Sequence, residues 1–254
     1  MKSSVIAIVN QKGGVGKTTS AINISAYLSE FGKKVLLIDL DAQANATSGI
    51  GLKTNEITHN TYDLIIDKNA TEKVLYPSPF DNLHVVPSKN DLAGAEVELV
   101  NIVSRETILK KRIEKYKKYY DYIIIDCPPS LGLLTLNALV ACDCTIIPVQ
   151  CEYFALEGIA KLVNTLDLVK ENYNEKLEIA GIALTMYDKR TGLNRQVVDN
   201  ARRFFKGVVF NTIIPRNIRI TEAPSHGLPI MLYSPDSQGA LAYYELTKEV
   251  CERV

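Results

Sequence analysis

A short apolar run, Val5 to Val9, leads directly into Gln11-Lys12-Gly13-Gly14-Val15-Gly16-Lys17-Thr18-Thr19. Ala21, Ile24, Leu28 and Phe31 then recur at helical spacing, and Gly32 is a natural helix stop. Strand, glycine loop and helix in that order restrict the fold more than any other feature. Glycines let the backbone curl until several N–H groups aim at phosphate oxygens, and a helix N-terminus adds positive potential. Lys17 can reach the β- and γ-phosphates, and the Thr18 hydroxyl can hold Mg²⁺. The expected ligand is a nucleoside triphosphate with magnesium. The common spacing of such loops puts glycine where Gln11 stands, so the usual pattern fails by one residue while Gly16-Lys17-Thr18 is intact.

Further strand candidates are Val35–Ile38, Leu83–Val86, Tyr122–Ile125, Thr145–Val149 and Ile179–Leu184. Several are continuously apolar, as strands buried on both faces are, and helix-length segments separate them. This predicts an α/β fold: a doubly wound, mainly parallel sheet flanked by helices. At 254 residues the chain fits one domain, 1–254. No stretch approaches the roughly 18 continuous apolar residues of a membrane span. Met1-Lys-Ser-Ser before Val5 is too short for a signal peptide, so a cytoplasmic protein is expected. Five cysteines, Cys127, Cys142, Cys144, Cys151 and Cys251, form an odd set without zinc-type spacing and read as buried thiols. Lys110–Tyr120, rich in Lys and Tyr, reads as a solvated helix face.

Two strands deliver acids to one edge. Val35–Ile38 runs into Asp39-Leu40-Asp41, and Tyr122–Ile125 ends in Asp126-Cys127-Pro128-Pro129. Ligands bind along the carboxyl edge of such sheets. A hydrophobic strand ending in aspartate is expected to organise Mg²⁺, which points to Asp126.

Lys12-Gly-Gly-Val-Gly-Lys-Thr18 resembles the deviant Walker A group of P-loop ATPases. Leu92-Ala-Gly-Ala-Glu96, Pro128-Pro-Ser-Leu-Gly-Leu-Leu134, the Pro148–Gly158 segment and Pro215–Gly227 extend the likeness to the ParA chromosome and plasmid partitioning ATPases, especially the short Soj type. The resemblance implies ATP and Mg²⁺ as ligands, Lys17 and Lys12 as catalytic lysines, and Lys12 reaching across a dimer interface. It implies that Asp41 positions the attacking water and that Asp39, with Thr18 and Asp126, supports Mg²⁺. The residues Lys12, Gly13, Gly14, Val15, Gly16, Lys17, Thr18 and Thr19 would hold phosphates, and Met186, Pro215, Arg216 and Asn217 the adenine. Ala42 and Ala44 stand where the family often has proline and glycine, so the segment Ala42–Thr47 is expected to differ in rigidity. The resemblance further implies an ATP-bound homodimer, a ParB-like centromere-binding partner and association with the nucleoid. The loop begins only ten residues into the chain, which leaves no room ahead of it for a sequence-reading helix-turn-helix.

Net charge is zero, so attraction to an anion must come from local clustering. Between Asp188 and Arg219, eight cations face only Asp188 and Asp199. If a helix begins at Asn194, Arg195, Arg202 and Lys206 share one face, while Val197, Ala201 and Phe204 or Phe205 point inward. Such a patch binds phosphates without reading bases; read from composition alone it is equally a solvated helix with Asp199 pairing Arg195 or Arg202, and it is the resemblance that implies double-stranded DNA. Arg190 and Arg219 match positions where the Soj type carries DNA-contacting arginines. A MinD-like ATPase is the alternative, but the C-terminal stretch from Ala240 carries three glutamates against one lysine and one arginine, the wrong balance for anionic lipid. No membrane association is expected. An iron–sulfur reductase is disfavoured because Cys142-x-Cys144 lies in strand-like sequence without the paired cysteine segments of that group.

Overall fold

The computed structural model describes residues 3–152 and 155–254, with only the backbone described for 155–157. Tyr153 and Phe154, inside the Pro148–Gly158 segment, lie outside the described residues. The strands are β1 (Ser4–Ile8), β2 (Val35–Asp39), β3 (Tyr76–Pro77), β4 (Leu83–Val86), β5 (Tyr122–Asp126), β6 (Cys144–Gln150) and β7 (Glu178–Thr185). They form one sheet in the order β3-β4-β2-β5-β1-β6-β7. All pairings are parallel except β3 with β4. Each predicted strand is present; β3 escapes the reading because two residues, one a proline, carry no alternating pattern.

The helices are α1 (Lys17–Glu30), α2 (Asn45–Gly49), α3 (Thr61–Ile66), α4 (Leu92–Leu99), α5 (Ile108–Ile113), α6 (Leu133–Ala141), α7 (Ala155–Asn172), α8 (Gly192–Phe204), α9 (Ile218–Glu222), α10 (Ile230–Tyr233) and α11 (Gln238–Arg253). They cover both faces of the sheet. Val5, Ala7 and Val9 point into a core shared with α4 to α8, and Ile6 and Ile8 into one shared with α1, α10 and α11. Double-sided burial is what requires continuously apolar strands. The parallel register sets Asp39 directly beside Asp126 at the carboxyl edge, next to the loop that leaves β1.

Three sequence expectations are refined. Helix α8 begins at Gly192 with Thr191 as its N-cap and ends at Phe204, so Lys206 lies beyond it. Arg195 and Arg202 do share its outer face, but Phe204 is 67% exposed and Phe205 is the residue that packs inward. In Lys110–Tyr120 the chain makes a short helix and a 3-10 turn; Tyr116 and Tyr120 enter the core while Lys111 and Lys118 face solvent. The C-terminal helix α11 buries Tyr243, Leu246 and Val250, and α1 reaches it through the Tyr27 hydroxyl, which donates to the Ala240 carbonyl at 2.8 Å. Its apolar face therefore belongs to the core. Among the described residues no helix is long and apolar enough to cross a membrane.

The segment carrying α2 meets the one following α9 backbone to backbone. Gly51 has φ 91° and Gly227 φ 65°, and a Cβ on Gly51 would stand 2.9 Å from the Gly227 carbonyl oxygen. Gly51→Ala adds left-handed strain to a backbone clash and is expected to lower stability by about 2 kcal/mol. Urea unfolding checks this; a loss below measurement error would show that the two segments can part freely.

Candidate nucleotide site

The loop after β1 is tied down from three sides. Asn10 donates from Nδ2 to the Pro148 carbonyl at 2.7 Å and accepts the Lys12 N–H on Oδ1 at 2.9 Å. Thr185, at the end of β7, donates its hydroxyl to the Val15 carbonyl at 2.8 Å. Gln11, where the common pattern has glycine, donates from Nε2 to the Gly158 carbonyl at 3.2 Å and so links the loop to α7. Gly14 and Gly16 adopt φ 73° and 93°, conformations that strain any other residue. No side chain caps α1, whose free N–H groups face the loop's hollow. Lys17 is 6% exposed and donates to the Lys12 carbonyl at 3.1 Å across the loop. Burial lowers the Lys17 pKa, and the negative charge of Asp126 opposes that shift.

Asp126 is fully buried, and neither carboxylate oxygen has a hydrogen-bond partner of normal geometry. Burial pushes its pKa well above the ordinary value and the adjacent Asp39 adds to the rise; the Thr18 hydroxyl and the Lys17 ammonium pull the other way. An orphaned buried carboxylate is costly and asks for a cation. Its open oxygens with the Thr18 hydroxyl supply hard donors suited to Mg²⁺, leaving other positions for phosphate and water. The residues present fit that ion.

Asp39 is placed differently. Its Oδ2 accepts from the Thr47 backbone N–H at 2.8 Å and the Thr47 hydroxyl at 2.6 Å, and Oδ1 accepts from the Asp41 N–H at 3.2 Å. Burial pushes its pKa up to about 6 despite these donors. Asp39 thereby anchors α2 and the Ala42–Thr47 segment, and is suited to act on a metal through water. The Ser88 N–H donates to the Thr47 hydroxyl at 2.8 Å, extending the anchor to the end of β4. No sequence argument singled out Thr47 or Ser88 for a role; they are small polar residues whose significance depends on strands distant in the chain. Asp41 is half-buried, faces the cleft and accepts the Gln43 N–H at 3.0 Å. Ala44 sits at φ 53°, a left-handed conformation that glycine would adopt without the roughly 1–2 kcal/mol charge on an alanine.

A cleft of about 800 Å³ runs from the loop to the segment 214–225. Gly13, Gly14, Gly16, Lys17, Thr18, Thr19, Asp41, Met186, Pro215, Arg216 and Asn217 all line it, whereas Val15 is buried and does not. Ile22, Ile220 and Pro224 provide apolar walls that the sequence reading missed. The volume suits a nucleotide. Lys12 stands outside. Its ammonium pairs with Glu152 at 2.8 Å, with both side chains about half exposed.

The candidate DNA-binding arginines lie on neighbouring segments, Arg190 between β7 and α8, Arg195 and Arg202 on α8 and Arg219 on α9; Tyr187 bridges Pro215, and the Arg216 N–H donates to the Tyr187 carbonyl at 2.9 Å. Arg190 is paired with Asp188 at 2.6 Å and Arg219 with Glu222 at 2.9 Å. Arg190 holds the Asp188 carboxyl well below the usual range. Arg195 is exposed, and Arg202 donates to the Asn211 carbonyl at 3.0 Å. Asp199 pairs with neither among the described ion pairs. The five cysteines are free thiols, and no three Cys, His, Asp or Glu side chains converge as a metal cluster among the described residues.

An acid whose pKa is higher folded than unfolded keeps its proton in the native state over a pH range where the unfolded chain has lost it. Stability is then highest at low pH and falls as pH rises through that window. For Asp39 the window runs from about 4 to about 6. Asp126→Asn removes the neighbouring charge and the orphaned carboxylate together. Without nucleotide or magnesium it is expected to raise stability at pH 7.5 by about 1–3 kcal/mol and to flatten the decline between pH 5 and 7.5. Urea unfolding at both pH values tests it, and an unchanged pH profile would refute the electrostatic account.

Comparison with known proteins agrees with this geometry. The AAA domain family profile matches residues 3–179. The chain is 52% identical to the sporulation initiation inhibitor protein Soj of Bacillus subtilis over 97% of both chains. It is 50% identical to the chromosome partitioning protein ParA of Myxococcus xanthus, covering 98% of this chain and 88% of that one. Among solved structures, cobyrinic acid a,c-diamide synthase of Mycobacterium smegmatis with bound ATP analogue and magnesium superposes with a TM-score of 0.85 at 34% identity, over 97% of this chain and 93% of that one. With half its residues shared over nearly full length, the chain belongs to the Soj/ParA family of chromosome-partitioning P-loop ATPases.

Proposed function

We propose that residues 1–254 act as one Mg²⁺-dependent ATPase domain serving DNA segregation, and that ATP closes two copies face to face. The observation that carries the dimer is Lys12. Its ammonium lies outside its own cleft, held by an exposed ion pair with Glu152. Exposed pairs of this kind contribute less than about 1 kcal/mol, so exchange for a facing copy's phosphate is easy. A lysine arriving from the other subunit would stabilise charge spreading over the transferred phosphoryl oxygens.

In this reading the free N–H groups of the loop and Lys17 bind the β- and γ-phosphates. Thr18 and Asp126 hold magnesium and Asp39 steadies its water shell. Magnesium, when bound, neutralises charge on the phosphate oxygens. Asp41 receives the attacking water at the mouth of the cleft. Met186, Pro215 and Asn217 border the base, with Ile22 and Ile220 offering apolar contact.

The closed dimer presents two copies of Arg190, Arg195, Arg202, Lys206 and Arg219. Joining two modest patches multiplies affinity without any new kind of contact, so binding to double-stranded DNA follows ATP. The family relationship supports a ParB-like partner that accelerates hydrolysis, and a nucleoid location.

Asp41→Ala is expected to slow hydrolysis by about 100-fold or more while leaving an ATP dimer that binds DNA. Turnover and light scattering report this, and wild-type turnover would remove Asp41 from the water's path. Replacing Arg190 and Arg219 together by Glu should abolish DNA binding with ATP-driven dimers intact. Titrations with ATP, ADP and no nucleotide at two salt concentrations provide the measure, and undiminished affinity would move the DNA surface elsewhere.

A further inference from the structure

Away from the cleft, a run of exposed apolar side chains spans the end of α4 and the residues just after it. Val97, Val100 and Val103 are 71%, 55% and 91% exposed, and Ile102 is 38% exposed. Leu92, Ala95 and Leu99 occupy the buried face of α4, which turns Val97 and Val100 outward. Valines so exposed contribute nothing to the core and invite association.

Their position relative to the phosphate loop is fixed by a chain of contacts. Pro129 lies 4.0 Å from where a Cβ on Gly13 would stand. Three residues on, Gly132 presses so closely on Glu96 that a Cβ there would overlap its carboxylate. The Leu134 N–H donates to that carboxylate at 3.4 Å. Between them Leu131 is itself 37% exposed. Loop, Pro129–Leu133 and α4 thus form one continuous ridge along the carboxyl edge of the sheet.

We propose that residues 97–103, with Leu131, are the apolar part of the interface with a second copy of this chain in the ATP-closed dimer, an inference that rests on the dimer reading above. A stable interface buries roughly 1,200–2,000 Å² around an apolar centre poor in charge. Among the described residues the exposed lining of the cleft is Gly13, Gly14, Gln43, Asn45, Ser48, Arg216, Thr221 and Ser225, with Pro129 as its apolar member, so little of that centre comes from there. The valines continue the same ridge. In a two-fold dimer every apolar side chain on it counts twice.

The test uses the full chain carrying Asp41→Ala, with and without Val100→Asp and Val103→Asp. Sedimentation over a concentration series in ATP and magnesium gives the dimer constant, and a fluorescent ATP analogue gives nucleotide affinity. The two aspartates are expected to weaken dimerisation by about 100-fold while nucleotide affinity stays within about twofold. Equal dimerisation of both proteins overturns the proposal and leaves the dimer reading standing. A parent that stays monomeric overturns both. Hydrogen exchange on the unmodified surface is an independent measure: the peptide spanning 97–104 should gain protection with ATP at dimer-forming concentrations and lose it on dilution. Constant exchange, or protection gained only when a different protein is added, overturns the assignment to a second copy.

Discussion

A carboxylate that no protein donor satisfies, buried at the centre of a parallel sheet, is the constraint from which the rest of this site follows. Asp126 cannot ionise there without a counter-charge, because the surrounding apolar strands exclude water. Lys17 and the Thr18 hydroxyl are its favourable neighbours, and both belong to the phosphate loop. The sheet therefore holds an electrostatic demand that a divalent ion would meet. Binding energy from that neutralisation is available to organise whatever else touches the ion.

Asp39 shows where such energy can be sent. It is the lateral neighbour of Asp126 in the sheet, yet its oxygens are occupied by Thr47 and the Asp41 backbone. Any change of charge at Asp126 is felt at Asp39, and Asp39 holds the segment that carries Asp41. Ala44, in a left-handed conformation within that segment, keeps strain close to the same point. Asp41, proposed above to position water, is thus tied to Asp126 through two paired strands and one threonine.

The cations assigned to partners share a different logic. Lys12, Arg190 and Arg219 each rest on a carboxylate of their own chain at the protein surface. Solvent screens such pairs, so each holds a long side chain in place at little energetic expense and yields to a more concentrated negative charge. Phosphate of a facing nucleotide or of DNA is such a charge. The same arrangement recurs at the residues proposed for the dimer and for DNA, although Lys12 lies in the phosphate loop, Arg190 between β7 and α8, and Arg219 on α9.

Sequence alone determined the sheet and its loop. Continuous apolar runs separated by helical spacing admit little other than a parallel sheet covered on both faces, and Lys12 to Thr19 admits little other than a phosphate site. It also identified which aspartates end strands. Register and burial, which only the tertiary structure decided, separated their surroundings: Asp126 is orphaned, whereas Asp39 is occupied by Thr47 and the Asp41 N–H, with Ser88 holding Thr47 from the end of β4. The end of α8 short of Lys206, the apolar walls at Ile22 and Ile220, and the outward valines beyond α4 were likewise invisible in the chain. Local patterns report which residues prefer burial, whereas the identity of the neighbour depends on contacts between positions far apart in sequence.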